Sequence, residues 1–102
     1  MIMSPSDSEL MQKHATEAAS LLKALSHPSR LMILCLLAQG ESCVGDLQSC
    51  SDLSQSAFSQ HLAVLRGQSL VITRKEAQTV YYRIADANVL SIIQLLKNLY
   101  CP

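Results

Sequence analysis

The chain has 102 residues and a mass of 11.2 kDa, which corresponds to one small domain. Apolar residues make up 49% of the sequence, enough for a hydrophobic core, although a domain this small buries a modest share of its surface and gains stability from a partner subunit. Eight basic and eight acidic residues give a net charge of zero, which argues against a disordered tail and against a polybasic membrane binder.

The first part of the chain predicts two helices. Ser6 and Glu9 have the spacing of a capping box, and the apolar residues that follow them recur at helical intervals. His27 ends this amphipathic helix, and Pro28 suits the first turn of the next one. The second helix is apolar on nearly every side, so we expect it at the centre of the fold. Its apolar run, residues 31–38, is too short to cross a bilayer, and we expect no membrane partner.

A third and a fourth helix follow, separated by a short turn. The third covers residues 44–50, and Ser54 is placed to cap the fourth. The apolar residues of the fourth helix fall on one face and are expected to point into the core; they are Phe58, Leu62 and Leu65. Two helices joined in this way form a helix-turn-helix, whose second helix enters the major groove of DNA. Its outer face carries side chains that can hydrogen-bond to base edges, namely Gln55, Ser56, Ser59, Gln60 and Arg66.

From Val71 onward the composition changes to β-branched and aromatic residues, which are typical of strands. Two such runs, residues 71–73 and 79–84, flank the polar segment 74–78 and predict a β-hairpin with a charged tip. Asp86 then caps a last helix, whose apolar arc is so wide that we expect it to pack against both its own core and a second subunit.

This order of elements predicts a mainly α chain with a β-hairpin wing. Residues 1–102 are expected to form one winged helix-turn-helix domain, with the helix-turn-helix at about 43–67 and the wing at about 71–84. The charge is also distributed unevenly. Residues 1–53 carry three basic and six acidic residues, whereas residues 54–83 carry four basic and one acidic. Such a local positive potential attracts nucleic acid, although a solvated face with no partner has the same appearance.

Three stretches together resemble the ArsR/SmtB family of winged-helix repressors over almost the whole chain. They are Leu21 to Arg30, Leu53 to Arg66 and Thr73 to Tyr82. The resemblance implies a homodimer, joined through helices at about 7–25 and 86–100, that binds an inverted-repeat operator in double-stranded DNA and responds to an inducer. The positions it implies for DNA contact are Ser54, Gln55, Ser56, Ser59, Gln60, His61 and Arg66 in the fourth helix and Arg74, Lys75, Gln78 and Thr79 in the wing.

Two positions leave questions open within that resemblance. His61 either contacts a phosphate or buttresses the recognition helix from behind. Members of the family usually place glycine directly before the Leu-Val that opens the wing, whereas here Ser69 fills that position and Gly67 comes earlier. Because a left-handed turn residue other than glycine is unfavourable, we expect the fourth helix to end differently.

The cysteines are Cys35, Cys43, Cys50 and Cys101, and no Cys-x-x-Cys occurs. The opening residues have neither a basic nor an apolar signal-peptide region, so we expect a cytoplasmic protein with reduced thiols. A cysteine pair there would be redox-responsive or linked to a metal. Metal-sensing relatives carry Cys-Val-Cys-Asp-Leu, whereas residues 43–47 read Cys-Val-Gly-Asp-Leu and the last helix has no histidine. We therefore expect no metal site and no cofactor.

The segments Ile33-Leu34-Cys35 and Leu99-Tyr100-Cys101 resemble the thiol-switch subgroup of the family, which includes BigR, SqrR, YgaV and HlyU. The resemblance implies that Cys35 and Cys101 sense reactive sulfur species or oxidants and become linked by a disulfide or polysulfide within one subunit. We expect the accessible Cys101 to react first and Cys35, in an apolar helix, to resolve the product. Alternatively, Cys35 is a small buried apolar residue. Cys43 and Cys50 are expected to be structural or incidental.

The resulting prediction is a transcriptional regulator, a repressor rather than an enzyme, whose operator affinity is switched by the Cys35–Cys101 dithiol. The alternatives within DNA binding are a metal- or heme-responsive repressor and a HlyU-like activator that displaces a silencer. From other classes, a thiol oxidoreductase lacks support because there is no Cys-x-x-Cys, base cluster or cofactor loop. A pure protein-interaction module would use the apolar last helix.

Overall fold

The computed structural model describes residues 4–101 of the chain. Its helices and strands, in chain order, are α1 (Pro5–Leu25), α2 (Pro28–Leu37), β1 (Ser42–Cys43), α3 (Val44–Ser49), α4 (Gln55–Gly67), β2 (Val71–Glu76), β3 (Thr79–Ile84) and α5 (Ala87–Tyr100). Helices α3 and α4 form the helix-turn-helix, and strands β2 and β3 form the wing. The predicted mainly α, winged helix-turn-helix fold is confirmed.

Helix α1 begins two residues before the predicted start. Ser4, not Ser6, is its N-cap: the Ser4 Oγ accepts a hydrogen bond from the backbone N–H of Asp7 at 3.2 Å. Pro5 then occupies the first helical position, where its missing N–H is harmless. The capping box predicted at Ser6 and Glu9 is therefore wrong. The helix is 21 residues long but buries only Ala24 and Leu25, at its C-terminal end.

Helix α2 lies at the centre of the fold, as predicted, with α1, α4, α5 and β3 around it. Its residues Ile33, Leu34 and Leu37 are buried, and Leu34 is completely inaccessible. The three residues of α4 predicted to point inward, Phe58, Leu62 and Leu65, are also buried, which confirms that prediction. Among residues 4–101, no single helix is long and apolar enough to cross a membrane. Helices α1 and α2 pass that test of length and composition only as a pair bent by 92°.

The wing belongs to a three-stranded antiparallel sheet with the strand order β1-β3-β2. Strand β1, which the sequence did not predict, adds two residues beside Tyr81 and Tyr82. The hairpin turn consists of Ala77 and Gln78 alone, since Glu76 pairs with Thr79. The segment predicted as the tip is therefore mostly strand, and Arg74 and Lys75 lie within β2.

Helix α4 ends in a Schellman motif built on a serine. The N–H of Leu70 donates to the carbonyl of Leu65 at 2.9 Å, and the N–H of Ser69 donates to the carbonyl of Arg66 at 3.0 Å. Ser69 adopts the left-handed conformation, with φ of 58°, that glycine would adopt there. The expected change in the helix ending does not occur, because the buried Leu70 and Leu65 hold the chain in this turn.

Replacing Ser69 with glycine is expected to stabilise the protein by about 1 kcal/mol, because glycine adopts a positive φ without a steric penalty. The measurement is the free energy of unfolding from urea denaturation at one fixed protein concentration. The control is Ser8→Gly in the exposed part of α1, where glycine is expected to lower stability by about 0.5 kcal/mol. If the Ser69→Gly variant were less stable than the parent, the left-handed conformation of Ser69 would not be a source of strain.

Candidate nucleic-acid interface and dithiol pocket

The outer face of helix α4 is open to solvent. Ser54 caps the helix through its Oγ, which accepts a hydrogen bond from the N–H of Ala57 at 3.2 Å. A groove of about 420 Å³ separates this helix from the wing and brings Ser59 and Arg66 opposite Tyr82. The predicted contact residues that are exposed to solvent are Ser54, Gln55, Ser56, Ser59, Gln60 and Arg66 in and before the helix and Arg74, Lys75, Gln78 and Thr79 in the wing.

One of the predicted wing cations is already paired. The Nε of Arg74 donates to both carboxylate oxygens of Glu41, at 2.8 and 3.0 Å, and its Nη1 donates to Glu76 at 2.7 Å. The guanidinium also lies 4.5 Å from the centre of the Tyr81 ring. The hydrogen bonds from Arg74 hold the pKa of the Glu41 carboxyl below its ordinary value, and the charge of Arg83 lowers it further. Two carboxylates, Glu41 and Glu76, therefore offset the charge of Arg74.

His61 occupies a different position from the rest of the predicted contact set. It is half-buried on the side of α4 that faces the start of α2, with its ring centre 4.2 Å from that of His27. Its Nδ1 lies 3.4 Å from Nη1 of Arg30. The structure therefore places His61 behind the recognition helix, and a direct contact with DNA stays a prediction.

The two cysteines singled out from the sequence line one apolar pocket of about 240 Å³ between α2 and α5, which we call the dithiol pocket. Cys35 is half-buried on α2, and Cys101 is exposed at the C-cap of α5. The other lining residues are Leu31, Ile93, Leu96, Lys97 and Tyr100.

Burial and the charge of Lys97 act in opposite directions on the pKa of the Cys35 thiol. Burial raises the pKa of Cys35 above its ordinary value, the nearby Cys101 adds to that rise, and the ammonium of Lys97 opposes it. At neutral pH Cys35 is therefore mostly a thiol, whereas Cys101 has open access to small reagents. Lys97 was not among the residues predicted for this site, although its position four residues before Cys101 could have indicated it.

The remaining cysteines lie outside the dithiol pocket. Cys43 is the N-cap of α3 and makes no side-chain capping bond, and Cys50 is exposed at the end of the same helix. The Cys50 thiol donates to the carbonyl of Asp46 at 3.6 Å. Within residues 4–101, no group of three or more His, Cys, Asp and Glu side chains is arranged to hold a metal ion.

Comparison with known proteins relates this geometry to regulators of transcription. Residues 27–73 match the model for bacterial regulatory proteins of the arsR family. The chain is 50% identical over 97 residues to the transcriptional activator HlyU of Vibrio cholerae, covering 95% of this chain and 90% of HlyU. A structure of reduced HlyU from the same organism superposes with a TM-score of 0.87 at 51% identity, covering 92% of this chain and 99% of HlyU.

Two further relatives are a repressor and a homodimeric DNA-binding domain. The biofilm growth-associated repressor of Agrobacterium fabrum is 47% identical over 91 residues, covering 89% of this chain and 78% of the repressor. The homodimeric winged helix-turn-helix DNA-binding domain of Mb0332 from Mycobacterium bovis superposes with a TM-score of 0.76 at 32% identity, covering 95% of this chain and 86% of that domain. The relatives thus include an activator, a repressor and a homodimer.

Proposed function

The chain belongs to the ArsR family of bacterial transcriptional regulators, which are DNA-binding proteins and not enzymes, and from this we propose that it is a homodimeric, dithiol-switched regulator of an inverted-repeat operator. In this proposal residues 1–102 act as one domain in the cytoplasm. The observation that supports the switch is that Cys35 and Cys101, 66 positions apart in the sequence, line the same pocket.

The chemistry needs a sulfane sulfur donor such as an organic persulfide, RSSH. The Cys101 thiolate attacks its outer sulfur, the S–S bond breaks, RS⁻ leaves with the electron pair and takes up a proton, and Cys101 becomes a persulfide. The Cys35 thiolate then attacks the Cys101 Sγ and expels hydrosulfide, which leaves a disulfide. The two thiols lose two electrons, and the sulfane sulfur gains them. An organic trisulfide, RSSSR, would instead leave its central sulfur in the link and release two RSH.

A peroxide reaches the same link by another intermediate. The Cys101 thiolate attacks one oxygen, hydroxide leaves, and a sulfenic acid forms on Cys101. The Cys35 thiolate then displaces its oxygen as water and forms the disulfide. The inducer in this proposal is therefore a reactive sulfur species or an oxidant, and no metal or cofactor takes part. That HlyU has a structure described as its reduced form supports looking for thiol chemistry in this chain.

Exposed apolar side chains support the homodimer. Helix α1 is exposed for almost all its length, and Leu10, Met11 and Leu22 are each more than half exposed. On α5, Leu95 and Leu99 are 57% and 63% exposed and lie one turn apart. A second copy packed on these helices would bury apolar surface that a monomer leaves in water.

The link acts through α5, which combines the dithiol pocket with the proposed dimer surface. Joining Cys35 to Cys101 changes the position of the end of α5 relative to α2. Because α5 carries the proposed dimer surface, the relative orientation of the two subunits changes with it. The recognition helices must meet successive major grooves about 34 Å apart, so a small change reduces operator affinity. A coupling of about 1–3 kcal/mol changes that affinity by about 5- to 150-fold. We propose repression as the result. The likeness to the activator HlyU makes activation by displacement of a silencer the second candidate.

A binding selection tests the proposed function directly. The reduced protein is used to enrich duplexes of about three helical turns from a random pool, and the affinity for the enriched duplex is measured at several salt concentrations. We expect an enriched inverted repeat, a steep loss of affinity with salt and a further loss after treatment with an organic persulfide. Failure to enrich any sequence, with no salt-dependent binding, would overturn DNA binding. Enrichment without a persulfide response would overturn only the switch.

Removing the carboxylate of Glu41 is expected to tighten DNA binding, because Arg74 would then keep one carboxylate partner, Glu76, instead of two and could also pair with a phosphate. We expect Glu41→Gln to strengthen binding by about threefold to tenfold and to steepen the salt dependence by about one phosphate contact. The control is Glu9→Gln on the exposed part of α1, which changes the net charge equally. Weaker binding by Glu41→Gln alone would show instead that Glu41 holds Arg74 in its binding position.

A further inference from the structure

Three helices meet at a cluster of Arg30, His27 and His61. Arg30, in the first turn of α2, donates from Nε to the carbonyl of Ala24 at 2.5 Å and from Nη2 to the carbonyl of Lys23 at 3.4 Å. Both carbonyls belong to the last turn of α1, beyond the reach of the helix's own N–H groups. The Lys23 carbonyl also accepts from the N–H and the Oγ of Ser26, at 3.2 and 2.8 Å. A cation at a helix C-terminus is also electrostatically favourable. Arg30 thus joins the end of α1 to the beginning of α2.

The two histidines are held through the lone pairs of their Nδ1 atoms. His27 is the N-cap of α2, and its Nδ1 accepts a hydrogen bond from the N–H of Ser29 at 3.1 Å. The Nδ1 of His61 faces Nη1 of Arg30 at 3.4 Å, and since a guanidinium can only donate, His61 must accept. Both contacts require an unprotonated Nδ1. The ring of His61 also packs on that of His27, which completes the connection from α4 to the start of α2.

Protonation of the cluster would break these contacts. A proton on Nδ1 of His61 removes the acceptor for Arg30, and a proton on Nδ1 of His27 removes the cap of α2. The charged or titratable side chains that face His61 are His27 and Arg30, both from the N-terminal end of α2. Burial lowers the pKa of His61 below its ordinary value of 6.5, and these two neighbours lower it further. The neutral, connected form is therefore favoured at neutral pH and is lost as the pH falls.

We propose that His27, Arg30 and His61 are positioning residues that fix the recognition helix relative to α1, so that acidification lowers the discrimination between operator and other DNA. This inference rests on the proposed function, in which α1 joins the subunits and α4 reads the operator. The cluster is a polar connection between them: Arg30 contacts the end of α1, and His61 lies on α4. A second one joins Ser20 of α1 to Gln68 at the end of α4, at 3.3 Å. Loss of the connection through the cluster changes the angle at which each recognition helix leaves the dimer.

A phosphate contact by His61 would have the opposite pH dependence. If the ring touched DNA, its protonation would add a positive charge at the interface, and binding would tighten at low pH. If the ring positions α4, protonation weakens binding to the selected duplex more than to a scrambled one. The sign of the pH dependence therefore separates the two roles.

The test uses the full chain and the duplex enriched by the parent protein, together with a scrambled duplex of equal length. Affinities are measured from about pH 7.5 to about pH 5.5 at constant ionic strength. The ratio of the two affinities is expected to fall about tenfold in the parent protein. The double variant His27→Asn with His61→Asn keeps an oxygen acceptor near each Nδ1 position, and asparagine is a favoured N-cap, so we expect a ratio that changes little with pH.

Two further variants and a second measurement complete the test. His61→Leu lacks the acceptor and is expected to discriminate poorly at every pH. His14→Asn removes the histidine that lies outside the cluster, on the exposed part of α1, and should keep the parent's dependence of the ratio on pH. Tighter binding by the parent at low pH, or an unchanged ratio, would overturn the proposal. Thermal unfolding needs no DNA: because the unfolded chain takes up the proton more readily, the unfolding temperature should fall as the pH drops below about 6.5. This fall should be smaller in the double variant than in the parent. An equal fall in both proteins would show that the cluster is not sensitive to pH, and this result does not depend on finding an enriched duplex.

Discussion

Replacing Cys101 with serine is expected to abolish the effect of an organic persulfide on DNA affinity. The variant loses the exposed thiol that we propose reacts first, and the half-buried Cys35 has a raised pKa and reacts slowly. The parent protein should lose about 5- to 150-fold in affinity for the enriched duplex after treatment, and Cys101→Ser should lose none. The measurements are affinity before and after treatment and the intact mass of the product, with peptide mapping.

The product formed by the Cys35→Ser variant distinguishes the thiol that reacts first, Cys101, from the thiol that closes the link, Cys35. With Cys35 absent, Cys101 should accumulate as a persulfide, which adds the mass of one sulfur atom without a link to a second peptide. The parent should lose two hydrogens when a disulfide forms and gain retained sulfur when a polysulfide forms. Matched controls are Cys43→Ser and Cys50→Ser, which leave the dithiol pocket intact. A full response by Cys35→Ser with Cys101→Ser would refute the switch.

The rate of closing the link should depend on pH through Cys35. Because its pKa is raised by burial, the reactive thiolate is scarce at neutral pH and increases as the pH rises. The ammonium of Lys97 opposes that rise in pKa, so Lys97→Gln should slow closure at neutral pH and shift the rate profile to higher pH. The rate of closure is measured by quenching samples with an alkylating reagent at successive times and counting the remaining free thiols by mass spectrometry. An unchanged profile in Lys97→Gln would show that its charge does not reach the Cys35 thiol.

Local patterns were sufficient for most of the fold. In α4, Ser54 indicated the helix start and the spacing of Phe58, Leu62 and Leu65 indicated the buried face, because both depend on residues within a few turns. Strand β1 was missed because it has two residues and depends on pairing with Tyr81 and Tyr82, about 40 positions later. The end of α4 was mispredicted because burial of Leu70 outweighed the preference of Ser69.

The candidate site was less accessible to local reasoning. Glu41 lies 33 positions before Arg74 in the sequence, so no spacing rule relates the two residues. Counting the charges of residues 54–83 therefore missed the carboxylate that pairs with Arg74. His61 was assigned to DNA by resemblance, and its contacts with His27 and Arg30 appear only when α4 is packed against α2. The assignment of Cys35 and Cys101 to one pocket came from resemblance, and the structure gives it a physical basis.

Replacing Leu95 with glutamate is expected to separate the subunits and to remove most of the DNA affinity. The side chain is 57% exposed in a single chain and lies on the α5 face that we propose a second copy covers. Burial of a leucine stabilises by about 1.5–3 kcal/mol, and a dimer loses this contribution twice. A charge placed in such an interface is costly unless it finds a partner. Sedimentation equilibrium measures the dissociation constant of the dimer, and we expect it to rise by at least about 100-fold.

The expected loss of DNA affinity follows from the binding of two subunits to the two half-sites of an inverted repeat. A monomer engages one half-site, so it lacks the effective concentration that a tethered second subunit provides, which is worth about 10²- to 10⁴-fold in affinity. Gln94→Glu is the matched control, because it adds the same charge one residue away at an exposed polar position of α5. It should remain a dimer and bind DNA nearly as the parent does. If Leu95→Glu also stayed dimeric, the subunits would have to meet through α1 alone, and the link between Cys35 and Cys101 could no longer act on DNA through the dimer surface of α5.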